Sequence, residues 1–273
     1  MPSTLHPATE YFLESNMDQP RLMEVAHRHV VTFSRTCPGK VEPNDDSAAV
    51  ICLSCDAIVM AVADGVGGAP MGYRASAIAM QCLGESLNKQ CAVNEGGDLR
   101  PAILDGIEKA NAEILDMGTG AATTISVVEV QNGIARGYQV GDSMSLIVGG
   151  RGVVKWKSTS HSPVGYLIES GMIEEADAMN HDDRHIVSNL VGSRRMHIEI
   201  GPAITLAARD TIVLASDGLF DNLHVHEICQ IARQGRPLAR MEKLVALATE
   251  RMNGDDEAMP GKPDDFAAVL MTP

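Results

Sequence analysis

The chain is poor in aromatic residues: Phe, Tyr and Trp occupy 3% of its 273 positions, with a single tryptophan. Its core must be filled by other means, and 15 methionines supply adaptable apolar volume rather than the lining of a cofactor site. Positive charge is scarce too, with 22 Lys and Arg against 36 Asp and Glu, a formal net charge of −14. Such a surface repels phosphate backbones and anionic lipid, which excludes non-specific nucleic-acid binding and a membrane-surface role. No apolar run approaches the ~20 residues of a membrane helix; one of the longest, 57–63, is closed off by Asp56 and Asp64. The opening residues carry Glu10, Glu14 and Asp18 and no basic segment leading into an apolar stretch, so no export signal is read and a cytoplasmic location is expected. Six scattered cysteines then read as reduced core thiols. Cys52 and Cys55 have zinc-like spacing, but in a strand an odd separation points them to opposite faces, and no second pair exists.

What is present is a globular profile, 45% hydrophobic and 21% charged, with a mean hydropathy of −0.01. Residues 1–22 are weakly patterned and are expected to form an irregular arm ahead of a single domain at 23–273. Runs at 25–33, 47–53 and 57–63, rich in Val, Ile and Ala, predict strands. Helical spacing follows at 73–89 and 99–117, the second placing Ile103, Ile107, Ala110 and Ile114 on one face. Strand-like runs at 123–130, 134–140, 143–148 and 153–156 sit on short connections that include an Asn132-Gly133 hairpin signal, and predict one antiparallel meander. Residues 158–192 are polar, with His161, His181, Arg184 and His185, and are expected to form a flap with one or two short helices over a site. Strands at 203–207 and 211–215, helices at 225–232 and 238–252 and a last strand at 266–271 complete an α+β layered sandwich. Asp255-Asp256-Glu257, among Asn, Gly and Pro, reads as a solvated loop.

Several strands adjoin aspartate at a turn: 57–63 runs into Asp64-Gly65, 134–140 into Gly141-Asp142-Ser143 and 211–215 into Ser216-Asp217-Gly218, while Asp45-Asp46 and Asp264-Asp265 precede strands. Aspartate favours turns for local reasons. If these strands share sheets, however, their ends converge, and clustered carboxylates repel unless cations neutralise them. Hard divalent ions suit such oxygen ligands and can clamp a phosphoryl group, which makes a metallohydrolase the working hypothesis.

Pro43-Asn44-Asp45-Asp46, Val62-Ala63-Asp64-Gly65-Val66-Gly67-Gly68, Ala122-Thr123-Thr124, Gly141-Asp142-Ser143, Ala215-Ser216-Asp217-Gly218-Leu219-Phe220-Asp221 and Pro263-Asp264-Asp265-Phe266 resemble, in order, the motifs of the metal-dependent PPM (2C-type) protein phosphatases of bacteria. The resemblance implies a four-layer αββα sandwich, two packed antiparallel sheets flanked by helix pairs. It implies Mg/Mn-dependent hydrolysis of phosphoserine and phosphothreonine in proteins, the substrates of a Ser/Thr kinase, by a hydroxide bridging two Mg2+ or Mn2+ ions. Asp64 would bridge the ions, Asp217 and Asp264 would hold the first, and Asp45 with the Gly65 carbonyl the second. Asp46 would orient water, Asp142 with Asp217 would hold a weaker third ion, and Gly65, Gly67 and Gly68 would let backbone approach the metal. No cysteine is required, and none stands in a loop with a trailing arginine.

Four departures accompany the match. Asp45 is shorter than the usual glutamate. Val41 stands where a phosphate-binding arginine is usual, leaving Lys40 and Arg35 as substitutes. Val66 replaces a candidate proton-donating histidine. Asp264-Asp265-Phe266-Ala267 replaces Asp-Asn-Ile-Thr. The rival from another class is a pseudophosphatase, a module binding phosphoproteins or kinases without turnover; the complete set Asp45, Asp64, Asp217 and Asp264 favours the enzyme.

Overall fold

Two antiparallel sheets stack face to face, and helices cover their outer faces. The computed structural model describes residues 8–94, 96–254 and 261–272. In chain order the first half contains β1 (Ala8–Phe12), β2 (Arg21–Val25), β3 (Arg28–Arg35), β4 (Asp46–Ser54), β5 (Ala57–Asp64), α1 (Gly72–Val93), α2 (Arg100–Asp116), β6 (Ile125–Gln131) and β7 (Ile134–Val140). It continues with β8 (Met144–Val148), β9 (Val154–Lys157), α3 (Pro163–Glu169), α4 (Glu175–Ala178), a 3-10 turn (Asp182–His185), β10 (Glu199–Ile200) and β11 (Ile204–Thr205). Then follow β12 (Thr211–Ala215), α5 (Asp217–Phe220), α6 (Val225–Ala232), α7 (Pro237–Met252) and β13 (Phe266–Thr272).

One sheet has the order β1-β4-β5-β6-β7-β10, with β11 also on β7; the other has the order β2-β3-β13-β12-β8-β9. The central strands β4, β5, β6, β12 and β13 are buried on both faces because both faces are covered. Along β5, Val59, Ala61 and Ala63 meet α1 and α2, while Ile58, Met60 and Val62 point into the layer between the sheets. Val213 of β12 faces α6 and α7, and Ile212 and Leu214 face the other sheet. The result is the αββα order expected from the sequence. Among the described residues no helix is long and apolar enough to cross a membrane.

Three local expectations are corrected. The predicted meander is divided: β6 and β7 pair in one sheet and β8 and β9 in the other, so the Gly141-Asp142-Ser143 turn carries the chain between layers. Within the segment expected to be irregular, β1 adds to β4 and β2 pairs with β3 as edge strands. The run predicted as one strand from residue 25 is in fact the end of a hairpin, turned at Ala26 (φ 51°) and His27 (φ 58°). Those residues lack the Asn-Gly signature that marks the same geometry at Asn132-Gly133 (φ 52° and 75°). The acidic run Asp255-Asp256-Glu257 lies outside the described residues.

The lone tryptophan joins the layers. Trp156 on β9 lies over Gly137 of β7 and over Gly201, so that a Cβ at Gly137 would overlap the indole and one at Gly201 would stand 2.7 Å from it. Gly137→Val should displace the ring and cost about 1–3 kcal/mol, read as a lower Tm and a red shift in the emission of the only tryptophan. Unchanged melting and emission would refute that packing.

Candidate functional site

Antiparallel register decides which carboxylates meet. β5 ends where β4 begins, and Asp64 is paired directly with Asp46. By the two-residue pleat both share a face with Ala48, Val50 and Val62 in the inter-sheet core, so both side chains point into the end of the seam between the sheets. In the other sheet Ala215 is paired with Ala268, which brings Asp217, first in α5, and Asp264-Asp265, just before β13, to the same end. Asp142 arrives there on the crossover turn. Asp46, Asp64, Asp142, Asp217 and Asp264 are thus brought together, with Asp45 beside them.

Each is held by its own segment. The backbone of Asp64 is pinned from both sides: its carbonyl accepts from Thr124 N (2.8 Å) and from Thr123 Oγ1 (2.8 Å), and its N–H donates to Thr124 Oγ1 (3.1 Å). That is the structural content of the Ala122-Thr123-Thr124 motif. Asp45 accepts from Tyr73 N in the first turn of α1 at 2.7 Å, a favourable place for negative charge. Gly65 is required because a Cβ there would overlap the backbone of Gly72, whereas a Cβ at Gly67 or Gly68 would meet nothing within 4 Å.

Two lysines supply the counter-charge. Lys40 Nζ reaches Asp45 Oδ2 and Asp265 Oδ2, both at 2.6 Å. Lys262 Nζ pairs with Asp217 and stands 3.0 Å from both Asp221 and Asp264. Burial alone would lower either ammonium; for Lys40 the bonds to Asp265 and Asp45, and for Lys262 the charges of Asp217, Asp221 and Asp264, raise it instead.

The carboxylates are nevertheless under-neutralised. Burial, then the charge of Asp217 and its neighbours, pushes Asp64 and Asp142 well above the usual carboxylate range. Burial also raises Asp46, against a hydrogen bond from Ser216. The same causes push Asp264 up to about 7 and Asp221 up to about 6. Asp46 Oδ2 and Asp142 Oδ1 are buried with no hydrogen-bond partner. Among the described residues no three acidic, His or Cys side chains form a ready-made ion cage, and Asp45, Asp217 and Asp264 are each paired with a lysine. The donor set, all carboxylate and carbonyl oxygen with orphaned acceptors, fits hard divalent cations.

Of the remaining expected residues, Lys40 and Arg35 line one cavity beside the site and Arg184 another, while His161, His181 and His185 line neither. Lys40, Arg35, Cys37 and Asp264 share one of about 380 Å³, where Arg35 lies over the Phe33 ring and 3.7 Å from Asp18. Burial and then Asp264 and Asp265 push the Cys37 thiol up, which makes it a poor nucleophile. On the opposite side Asp142, Asp217 and Asp221 line a cavity of about 100 Å³ with Arg184, Ser160 and Val164 of the 158–192 segment. His181 Nδ1 accepts from Asp183 N at the head of the 3-10 turn (3.1 Å), His185 is exposed, and His161 is buried.

Lys262, Asp221 and Asp265 were not among the expected site residues. Asp221 lies one helical turn after Asp217, a spacing that places the two on one face and could have marked it. Asp265 binds Cys37 N (2.7 Å) and Asp45 N (2.6 Å) as well as Lys40.

A sign follows for the metal-free protein. Asp264 and Asp221 have folded pKa values near 7 and 6 against an ordinary 3.8, so between those values the folded state binds more protons than the unfolded one. Stability from these groups is then complete below the ordinary value and is lost as pH rises through the folded values. In chelator the Tm should fall between pH 5 and pH 8; a Tm that rose over that window would contradict the assignment.

Comparison with known proteins agrees with this architecture. A family model described as "Protein phosphatase 2C" matches residues 36–253. A serine/threonine phosphatase stp of Listeria monocytogenes is 25% identical over 231 residues, covering 81% of this chain and 90% of that protein. The S. agalactiae serine/threonine phosphatase superposes with a TM-score of 0.74 at 24% identity, covering 90% of this chain and 99% of that one. The catalytic domain of the phosphatase PstP, solved in complex with two manganese ions, gives 0.69 at 20% identity, covering 89% and 96%. With the family motifs in sequence order, the carboxylates at one end of an αββα sandwich and the family match spanning most of the chain, the protein belongs to the protein phosphatase 2C family.

Proposed function

We propose that the chain hydrolyses phosphoserine and phosphothreonine in proteins, using two Mg2+ or Mn2+ ions held at the end of the inter-sheet seam, in the cytoplasm as the sequence leads one to expect. The observation that carries this is the set of converging aspartates with two buried, unpartnered carboxylate oxygens, on Asp46 and Asp142. The names of the relatives, serine/threonine phosphatases, and the two manganese ions of one fold neighbour support it. The complete carboxylate set also favours an enzyme over a pseudophosphatase.

In this reading Asp64 would be shared by the two ions, Asp217 and Asp264 would help hold one of them, and Asp45 with the Gly65 carbonyl the other. Asp46 orients water, and Asp142 with Asp217 holds a weaker third ion. When bound, the ions would offset phosphoryl charge and supply a strong water-derived nucleophile at neutral pH. The protein's own part is positional. Thr123 and Thr124 fix Asp64; the first turn of α1 fixes Asp45. Lys40 and Arg35 offer positive charge to the substrate phosphate in the cavity they share, and the 158–192 flap covers the opposite side. Lys40 meets phosphate as a point charge, without the paired geometry of a guanidinium.

The first test is metal removal with substitution: Asp64→Asn and Asp217→Asn should lose nearly all phosphate release from a phosphothreonine peptide while remaining folded, and wild type should lose it in EDTA and recover it with Mn2+. Full activity after metal stripping would falsify the scheme. The second concerns Val66, which cannot donate a proton. A serine or threonine oxygen needs protonation to depart and a nitrophenolate does not, and a placed general acid contributes about a hundredfold or more. Val66→His should therefore raise kcat/KM for the phosphothreonine peptide relative to p-nitrophenyl phosphate. A ratio that stays constant at every pH from about 5.5 to 8.5, with metal binding intact, would show that position 66 does not limit proton delivery.

A further inference from the structure

We propose that His161 is a positioning residue that fixes Asp142 and the root of the flap with one side chain, an inference that rests on the phosphatase reading of the cleft. His161 is 1% exposed and lies at the flap's entry. Its N–H donates to Gly141 O (2.9 Å), and its carbonyl accepts from Ser188 N (2.8 Å) at the flap's exit. One residue thus closes the base of the flap and ties it to the crossover turn.

The ring adds a second grip. Nδ1 accepts from Gly141 N at 3.2 Å and from Asn189 Nδ2 at 2.9 Å. The Asn189 amide cannot be reversed, because its Nδ2 also donates to His197 O (2.7 Å) and its Oδ1 accepts from His197 N (3.2 Å). Nδ1 therefore faces two N–H groups and carries no proton. The proton sits on Nε2, which donates to Glu199 Oε2 at 3.1 Å. Burial keeps the ring below the ordinary imidazole range, against the opposite pull of Glu199, so this neutral tautomer persists. The ring is enclosed by Tyr166 and His197.

Gly141 is thus held on the N–H of the peptide before it by the ring and on the C=O of the peptide after it by the backbone of His161, with Gln139 Nε2 as a further donor to that carbonyl (3.0 Å). Gly141 has φ +99°, and a Cβ there would stand 2.5 Å from Thr124 Cβ, so the turn has no slack. Asp142 follows directly, its Oδ1 buried and unpartnered in the cavity it shares with Asp217 and Asp221. Loss of the ring would free the Gly141 N–H and leave the turn fixed through its carbonyl alone, so that it can shift and carry that carboxylate away from its neighbours.

The test uses the full chain with Mn2+ and p-nitrophenyl phosphate, comparing His161→Leu with His161→Asn, whose Oδ1 restores an acceptor where Nδ1 stood. His161→Leu should lower kcat by about tenfold or more, as losing a residue that orients a ligand does, with KM changed by less than about twofold. His161→Asn should recover most of the loss. Added to Asp142→Ala, His161→Leu should cost less than about twofold more, since residues acting as one unit are not additive. Long-range 15N spectra of the wild type should show the Nε2–H tautomer. Equal impairment of Leu and Asn variants, a fully multiplied loss on Asp142→Ala, or an Nδ1–H tautomer would each overturn the proposal. Should His161→Leu fail to fold, the Asn variant and the spectrum decide it. A wild type without Mn2+-dependent turnover would refute the phosphatase reading instead, leaving the tautomer as the test of the grip on Gly141.

Discussion

Asp46 and Asp64 stand directly opposite each other across an antiparallel pair, in a seam walled by apolar side chains, and that juxtaposition governs the rest of the site. It cannot be relaxed by sliding the strands. A one-residue slip would turn every inward side chain of β4 or β5 to the other face and dismantle both cores at once. The repulsion has to be answered with positive charge instead. The two lysines at this end, Lys40 ahead of β4 and Lys262 ahead of β13, answer the surrounding acids, Asp45 and Asp265 on one side and Asp217, Asp221 and Asp264 on the other, and leave Asp46 and Asp64 to a bound cation. Because Lys40 joins Asp45 to Asp265, it also clamps the mouth of one sheet to the mouth of the other. Removing either lysine without a replacement cation would leave carboxylates unpaired in a poorly solvated place, which costs far more than an exposed ion pair contributes.

That arrangement explains why a protein with an otherwise apolar interior can keep so many acids at one end. The layers are rigid, continuous and indifferent to chemistry, while the residues that differ in charge lie just beyond the strand ends. There the backbone is fixed by the sheet and the side chain is free to bind. Two devices refine it: the Thr123-Thr124 pair, which locks the strand end carrying Asp64, and the first turn of α1, whose N–H groups receive Asp45. The flap approaches on the side of Asp142 and Asp217, the basic residues on the side of Asp264, so the acidic centre is reached from two chemically different walls.

Much of this was legible in the sequence because apolar runs and turn formers announce strands, and because aspartates at strand ends announce a rim. The α+β layered sandwich follows from those signals, and the convergence of Asp64, Asp142, Asp217 and Asp264 follows once the strands share sheets; the αββα order with flanking helix pairs came from the resemblance to the family motifs. What could not be read has a physical reason in each case. The Ala26-His27 hairpin uses positive φ without Gly or Asn. The division of β7 and β8 between sheets depends on where a turn leads, which pairing patterns within four similar strands do not encode. Lys262 and Asp265 act through partners about forty to more than two hundred residues away, and His161 through a tautomer that only the three-dimensional hydrogen-bond network defines.

The departures from the family motifs are less independent than they look in the sequence. Asp265 stands where asparagine is typical, and its two oxygens accept from Cys37 N on one side and from Asp45 N and Lys40 Nζ on the other. An asparagine has a single acceptor oxygen and could not serve both sides. Lys40, one residue before the position usually held by arginine, is the cation that makes a buried carboxylate at 265 tolerable. The same ammonium takes up Oδ2 of the shortened Asp45, whose Oδ1 is already committed to Tyr73 N. The shorter acid, the displaced base and the aspartate at 265 therefore form one connected unit, two carboxylates sharing a single ammonium. An asparagine at 265 would leave that ammonium to Asp45 and would deprive either Cys37 N or Asp45 N of its acceptor, because one amide oxygen cannot serve both sides.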